Sequence, residues 1–314
     1  MKKLLLFVVI VLLLALASLY YFIPANLVIV ETAHVHCVAD AGFRALSNEK
    51  SWAAWWPEKG SQGKPVDSVL FYSLGKHQFG LSKKLHNNFE ILISSEKDIL
   101  PSEMNLFSIA QDSSLLKWQV TIHAGNNPFE RISAYNRALD LKNQMHTVLA
   151  GIQTYLSSFR NVYGFQYRES STKDTMLIST KTTLTHLPST AETYALVEKL
   201  KTYCKGDCKV TGPPMLNVTP MQDSNYRVMV ALPVNRMMLP SQDVQPVKMV
   251  PGKFIVTEVV GGTGAVKKAH EQIQHYFQDY RRTAMAIPFE YLITDRRNEL
   301  DSNKWVTAIF APVY

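Results

Sequence analysis

In the stretch IPFEYLITDRR, Ile287 to Arg297, the carboxylate of Glu290 lies alone among Phe289, Tyr291, Leu292 and Ile293. A carboxylate in apolar surroundings has a raised pKa unless a cation pairs with it. Such a group can bind a cationic ligand or act as a general acid or base. The plain alternative is an edge-strand Glu that points to solvent. Asp295, Arg296 and Arg297 read as a solvated connection to the next strand. No Ser/His/Asp or Cys/His nucleophile arrangement is legible elsewhere. Of the 9 histidines, His34 and His36 alternate on a strand and the others lack a paired spacing; no metal site is legible and no cofactor is expected. Gly261-Gly262-Thr263-Gly264 does not match a phosphate loop and reads as a strand-to-helix turn. Cys204-Lys-Gly-Asp-Cys208 is either a small disulfide loop or two free thiols at a helix end. Cys37 reads as a buried small hydrophobe.

The elements that must position Glu290 occur twice. GPPMLNV (212–218) matches AIPFEYL (286–292), and YRVMVALPVN from Tyr226 matches WVTAIFAPVY from Trp305. Each copy has an earlier strand, 175–184 and 253–260, and a helix, about 190–204 and 263–280. The repeated unit is strand–helix–strand–strand, and two copies suggest one pseudo-symmetric domain. Side chains alternate along a strand, so Glu290 shares a face with Leu292 and Thr294. Its sister position is Leu216, so Glu290 sits on a face that is apolar in the other copy. Met215, in the equivalent segment, is a candidate adaptable apolar wall. Tyr226 and Trp305 are sisters, either as groove walls or as core.

Residues 27–39 read as a strand, followed by a short helix and the tryptophans Trp52, Trp55 and Trp56. Strand-like pieces follow at 69–73, 89–94, 103–109 and 115–123, with turn residues between several of them, which argues for an antiparallel meander. Apolar residues from Ala138 to Phe159 keep a 3.6-residue period, so a long helix is expected over about 137–159. Trp56 and Trp118 read as core or as ligand wall.

The chain has 314 residues, is 46% hydrophobic and carries a formal charge of +7. No Lys/Arg block, zinc-ligand pattern or helix-turn-helix is present, so no nucleic-acid partner is expected. Leu4 to Ile23 is apolar apart from Ser18 and the tyrosine hydroxyls. That length suits a single membrane-spanning helix. Lys2 and Lys3 before it favour an N-in orientation, with the body on the non-cytoplasmic side. A signal peptide cleaved near Ala15-Leu16-Ala17 is the competing reading.

VHCVADAGFRALSNEKSWAAWWP resembles the opening of START-like, polyketide-cyclase-type (SRPBCC) domains, with Trp52, Trp55 and Pro57 on the W-x-x-W-x-P pattern. The resemblance implies a helix-grip fold, a curved antiparallel sheet around the long helix with an apolar cavity. MVPGKFIVTEVVGG (249–262), the helix after it, IPFEYLITDRR and the terminal IFAPV resemble the gyrase-inhibitor-like (GyrI-like) effector-binding domain. This implies a groove for small apolar or cationic molecules and makes Phe254 a further candidate wall. Many such domains carry a Glu on the last strand, where this chain has Ala308.

The expected fold class is α+β: a transmembrane anchor (1–24), a START-like domain (27–162) and a duplicated GyrI-like domain (164–314). The expected function is binding of a small hydrophobic or cationic molecule, with Glu290, Met215, Tyr226, Trp305, Phe254, Trp56 and Trp118 at the sites. A hydrolase or isomerase that uses Glu290 is the alternative.

Overall fold

The computed structural model describes residues 2–63, 65, 69–95, 98–171, 176–249, 251–283 and 286–313. The chain is α+β and builds two antiparallel sheets. It divides into two units, Met1–Val162 and Tyr163–Tyr314.

The first unit begins with α1 (Lys2–Phe22), β1 (Asn26–Val35) and α2 (Ala39–Leu46). Five strands follow: β2 (Phe71–Leu74), β3 (His77–Leu85), β4 (Asn88–Ser94), β5 (Ile99–Ala110) and β6 (Ser113–His123). The sheet order is β1-β6-β5-β4-β3-β2. α3 (Pro128–Leu156) closes the unit, burying Leu141, Met145, Val148 and Ile152. It starts well before the expected position. Asn127 caps it by accepting from the Phe129 N–H, and Pro128 occupies the first turn, a start signal independent of periodicity. The early turns expose Phe129, Ile132 and Tyr135, so no core-facing period marks them. β3 was not expected as a strand. Gly80 and a register shift between Leu81 and Lys83 interrupt its alternation.

Trp52, Trp55, Trp56 and Trp118 are all buried. The Trp52 and Trp56 rings stack 3° from parallel at 6.0 Å. Trp56 Nε1 donates to the Ser73 carbonyl (2.7 Å), and Trp118 Nε1 donates to Ser102 Oγ (2.9 Å). Buried indoles usually find such a partner for their N–H; Trp55 Nε1 is buried without one among the described residues.

Among the described residues no helix is long and apolar enough to cross a membrane, so the expected transmembrane assignment of α1 gains no support. α1 exposes Leu4, Leu6 and Phe7. At its end, the Tyr20 hydroxyl donates to the Asn126 carbonyl (2.6 Å), and Arg131 sits 4.3 Å over the Tyr20 ring.

The short α4 (Phe159–Tyr163) spans the boundary, and the second unit then has β7 (Arg168–Ser171), β8 (Met176–Leu184), α5 (Thr190–Tyr203), β9 (Met215–Pro220) and β10 (Tyr226–Pro233). It continues with β11 (Gln245–Lys248), β12 (Lys253–Val260), α6 (Thr263–Asp279), β13 (Phe289–Leu292) and β14 (Val306–Val313). Thr175, the expected start of β8, lies outside the described residues. Ser189 and Glu192 form a reciprocal capping box on α5. Gly261, at φ +134°, makes the turn into α6 with backbone that L side chains rarely adopt.

The eight strands run β11-β8-β10-β9-β13-β14-β12-β7. The duplicated units are therefore β8-α5-β9-β10 and β12-α6-β13-β14, joined where β9 pairs with β13. β7 and β11 are short edge additions, and Pro246 in β11 suits an edge. Register makes the duplication quantitative. Leu177 pairs with Pro233 in one half, and Phe254 pairs with Pro312 in the other. Cys204 and Cys208 form a disulfide after α5, with Cα atoms 5.2 Å apart. Cys37, in the first unit, is buried, its thiol donating to the Val38 carbonyl at 3.4 Å.

Candidate functional site

Strand alternation gives the second sheet two different faces. One carries the helices. There Ile178, Leu216, Val228, Val230 and Leu292 pack with Tyr194, Val197 and Leu200 of α5. The centre of the other face is apolar, and among the described residues no helix residue joins its clusters. Leu177, Met215 and Ala231 pack with Met249, Phe289 and Tyr291. Phe254, Val256 and Ala308 pack with the same three residues and Phe310. The face is thus continuous across the β9–β13 join.

Four rings dominate its second half. Phe289 and Phe310 stack at 5.0 Å. Tyr291 meets Phe310 edge-on at 4.8 Å, and Phe254 meets Phe289 edge-on at 5.7 Å. Beside Phe289, toward the first half, lies a pocket of about 140 Å³. Its walls include Met215, Met229, Met249, Leu177, Val247 and Ile287. Unbranched Met side chains adapt to differently shaped apolar ligands. Two polar residues line it, and the protein itself engages both. Ser179 Oγ donates to the Gln245 carbonyl (3.3 Å), and Asn217 Nδ2 donates to the Pro288 carbonyl (2.8 Å). Among the described residues no Asp or Glu lines the pocket. The arrangement offers shape and apolar contact.

Glu290 is elsewhere. It pairs across strands with Leu216, and like Leu216 it faces the helices. Its Oε1 lies 3.0 Å from Nε2 of His270 on α6, and its side chain is 16% exposed. The parity read from the sequence is the one observed. The helical layer covers this face, and the opposite parity forms the open face, so Glu290 neither points to solvent from an edge strand nor lines the open face.

Arg296 belongs to the same polar layer. Its guanidinium donates to Thr307 Oγ1 (3.0 Å) and lies 4.9 Å over the Trp305 ring. Its backbone N–H donates to the Tyr194 hydroxyl (3.0 Å). Burial pushes the Arg296 guanidinium below its ordinary pKa, against the pull of the Glu290 carboxylate. The reading of this segment as solvated therefore fails for Arg296, which is 8% exposed. The segment turns inward because Thr307 and Tyr194 supply its hydrogen bonds. Asp295 and Arg297 do stay near the surface. The Arg297 guanidinium donates to both Asp295 oxygens and to Glu198 of α5 (2.8 Å). These bonds hold the Asp295 carboxyl down at about 2.

Of the residues expected at a site, Met215 and Phe254 are on the open face. Tyr226 shares the strand parity of Val228 and Val230, on the helix side. Trp305 is also on that side, its Nε1 donating to the Glu299 carbonyl (2.8 Å). Trp56 and Trp118 are core of the first unit. Phe289, Tyr291, Phe310, Met229 and Met249 were missed. The alternation that singled out Glu290 also puts Phe289 and Tyr291 on one face, and that was the available signal.

No family model matches the chain, and no curated protein matches it. Among solved structures it is similar to the EcmrR C-terminal domain, over 48% of this chain and 98% of that one, at 15% identity and a TM-score of 0.42. It is similar to SAV2435 bound to tetraphenylphosphonium, over 48% and 94%, at 19% identity and a TM-score of 0.31. It is also similar to the ZhuI aromatase/cyclase from Streptomyces sp. R1128, over 40% and 93%, at 12% identity and a TM-score of 0.30. Likenesses of this size assign no family, and the functional reading rests on the residues of the open face.

Proposed function

We propose that the second unit binds a small hydrophobic molecule on its open sheet face. The observation that carries this is the pocket of about 140 Å³ walled by Met215, Met229, Met249 and Phe289, whose polar liners are already bonded to protein carbonyls. Ligand pockets are typically apolar concavities with few polar groups. This one is small, so a larger ligand extends along the rings of Phe254, Tyr291 and Phe310. Ligand binding raises the melting temperature by mass action. A panel of neutral alcohols, aromatic compounds and lipophilic cations such as tetraphenylphosphonium tests the reading. A dose-dependent shift with the neutral members supports it, and no shift with any member sinks it.

A second reading is acid/base catalysis by Glu290, as hydrolase or isomerase. The observation in its favour is the 3.0 Å contact with His270, which would orient the carboxylate. It requires that Glu290→Gln lose turnover of a model ester or lactone while still binding it. Equal turnover in the variant would remove this reading.

The proposal also tethers the protein to a membrane through α1, with the body outside the cytoplasm. The apolar run Leu4–Ile23 behind Lys2 and Lys3 supports this, as does the Cys204–Cys208 disulfide, which suits an oxidising compartment. Digestion of intact spheroplasts by an external protease checks it. Protection of the body would contradict it.

A further inference from the structure

We infer that the open-face pocket takes a soluble single-chain amphiphile with an anionic head group, the head lying against Lys181 and Arg227. This rests on the pocket reading above and names the ligand class. Lys181 is the direct cross-strand partner of Met229, which lines the pocket. Directly opposed residues have Cβ atoms roughly 5 Å apart on one face. Ser179, two residues before Lys181 and therefore on the same face, is also a liner. Arg227 precedes Met229 by two residues and shares its face, opposite Thr183 and Thr219. Two cations thus border one end of an apolar hollow. Both are exposed, and among the described residues neither has an acidic partner.

The duplication sharpens the asymmetry. Lys181 pairs with Met229 in the first half, and Glu258 pairs with Ala308 at the equivalent register of the second. The open face therefore carries opposite charges at sister positions. The acidic end is engaged by Arg168, 3.7 Å from Glu258, whereas the basic end borders the pocket. Among the described residues a cation finds no carboxylate in the pocket wall. An anion finds two cations at its rim.

The hollow holds the chain and the rim holds the head. A volume of about 140 Å³ matches the liquid share of roughly five waters. It therefore accepts a few carbons or one ring, and the rest lies on the exposed part of the face.

The test is calorimetric titration of the full-length protein with three octyl compounds: octan-1-ol, octanoate and octyltrimethylammonium. Octanoate is expected to bind about fivefold tighter than octan-1-ol, the size of advantage that exposed charge pairs supply. Octyltrimethylammonium is expected to bind more weakly than the alcohol. Lys181→Met with Arg227→Met should bring octanoate down to the level of the alcohol while leaving alcohol affinity and melting temperature in place. Raising the salt should narrow the same gap. If none of the three binds, the pocket reading itself fails, and this inference with it. If the alcohol binds but octanoate is no tighter, or if the cation binds tightest, this inference is overturned and the pocket reading stands. Capture of phosphatidylglycerol vesicles without binding of free octanoate also overturns it.

Discussion

Glu290 and Leu216 are direct partners across the β9–β13 join, and they are also equivalent residues of the two copies. The duplication axis therefore passes between a carboxylate and an aliphatic side chain. On the Leu216 side the helical layer is closed by apolar residues such as Val197. On the Glu290 side it is closed by His270, with Arg296 nearby. At this pair of positions one copy makes an aliphatic contact and the other a polar one, although α6 otherwise buries apolar residues such as Val266 and Ile273.

The Glu290–His270 contact is partly buried, with side chains 16% and 29% exposed. In a double-mutant cycle with Glu290→Ala and His270→Ala, we expect a coupling of about 0.5–1 kcal/mol. Urea midpoints of the four proteins measure it. Strict additivity would mean that the contact contributes nothing.

Filling the pocket should abolish binding without unfolding the sheet. Met229→Trp puts a larger apolar side chain into a half-buried position that lines the hollow. We expect the thermal shift produced by octan-1-ol to disappear, while the melting temperature of the free protein changes by only a few degrees. An undiminished ligand shift would move the site away from Met229.

Trp118 should be structural. It is 1% exposed, meets Phe79 at 5.7 Å and donates to Ser102. Trp118→Ala is expected to cost about 3–5 kcal/mol of stability in the first unit. Ligand affinity of the second unit should hold. Chemical denaturation and calorimetry on one preparation read both quantities.

The Asp295 carboxyl sits at about 2, against an ordinary 3.8, chiefly through its bonds to Arg297. A depressed carboxylate stabilises the fold above its unfolded pKa and loses that contribution as pH falls through the folded value. The stability difference between wild type and Asp295→Asn should thus be constant above about pH 4 and shrink between pH 4 and pH 2. The side chain is 35% exposed, so the difference should also weaken with salt.

The repeat was legible because two β-hairpins of similar sequence had to make similar strands. Register followed from it, down to the equivalence of Glu290 and Leu216. Which face of the sheet the helices would cover was not legible. Apolar residues occupy both parities of β9, Met215 on one and Leu216 on the other, so hydrophobic pattern could not choose between them. Glu290, the charged sister of Leu216, lies on the covered face. Arg296 was hidden for a related reason. Its burial depends on Thr307 and Tyr194, which are distant in sequence. In the first unit the tryptophans were visible as a cluster, but only the ring contacts to Tyr72 and Phe79 decide that they are core.

The central claim is that a hydrophobic ligand enters the Met-walled pocket of the second unit. Methyl NMR of the protein labelled at methionine tests it most directly. Titration with octan-1-ol should shift the methyl signals of Met215, Met229 and Met249 and leave those of Met104 and Met145, buried in the first unit, unmoved. Shifts confined to Met104 and Met145, or no shifts at saturating alcohol, would contradict it.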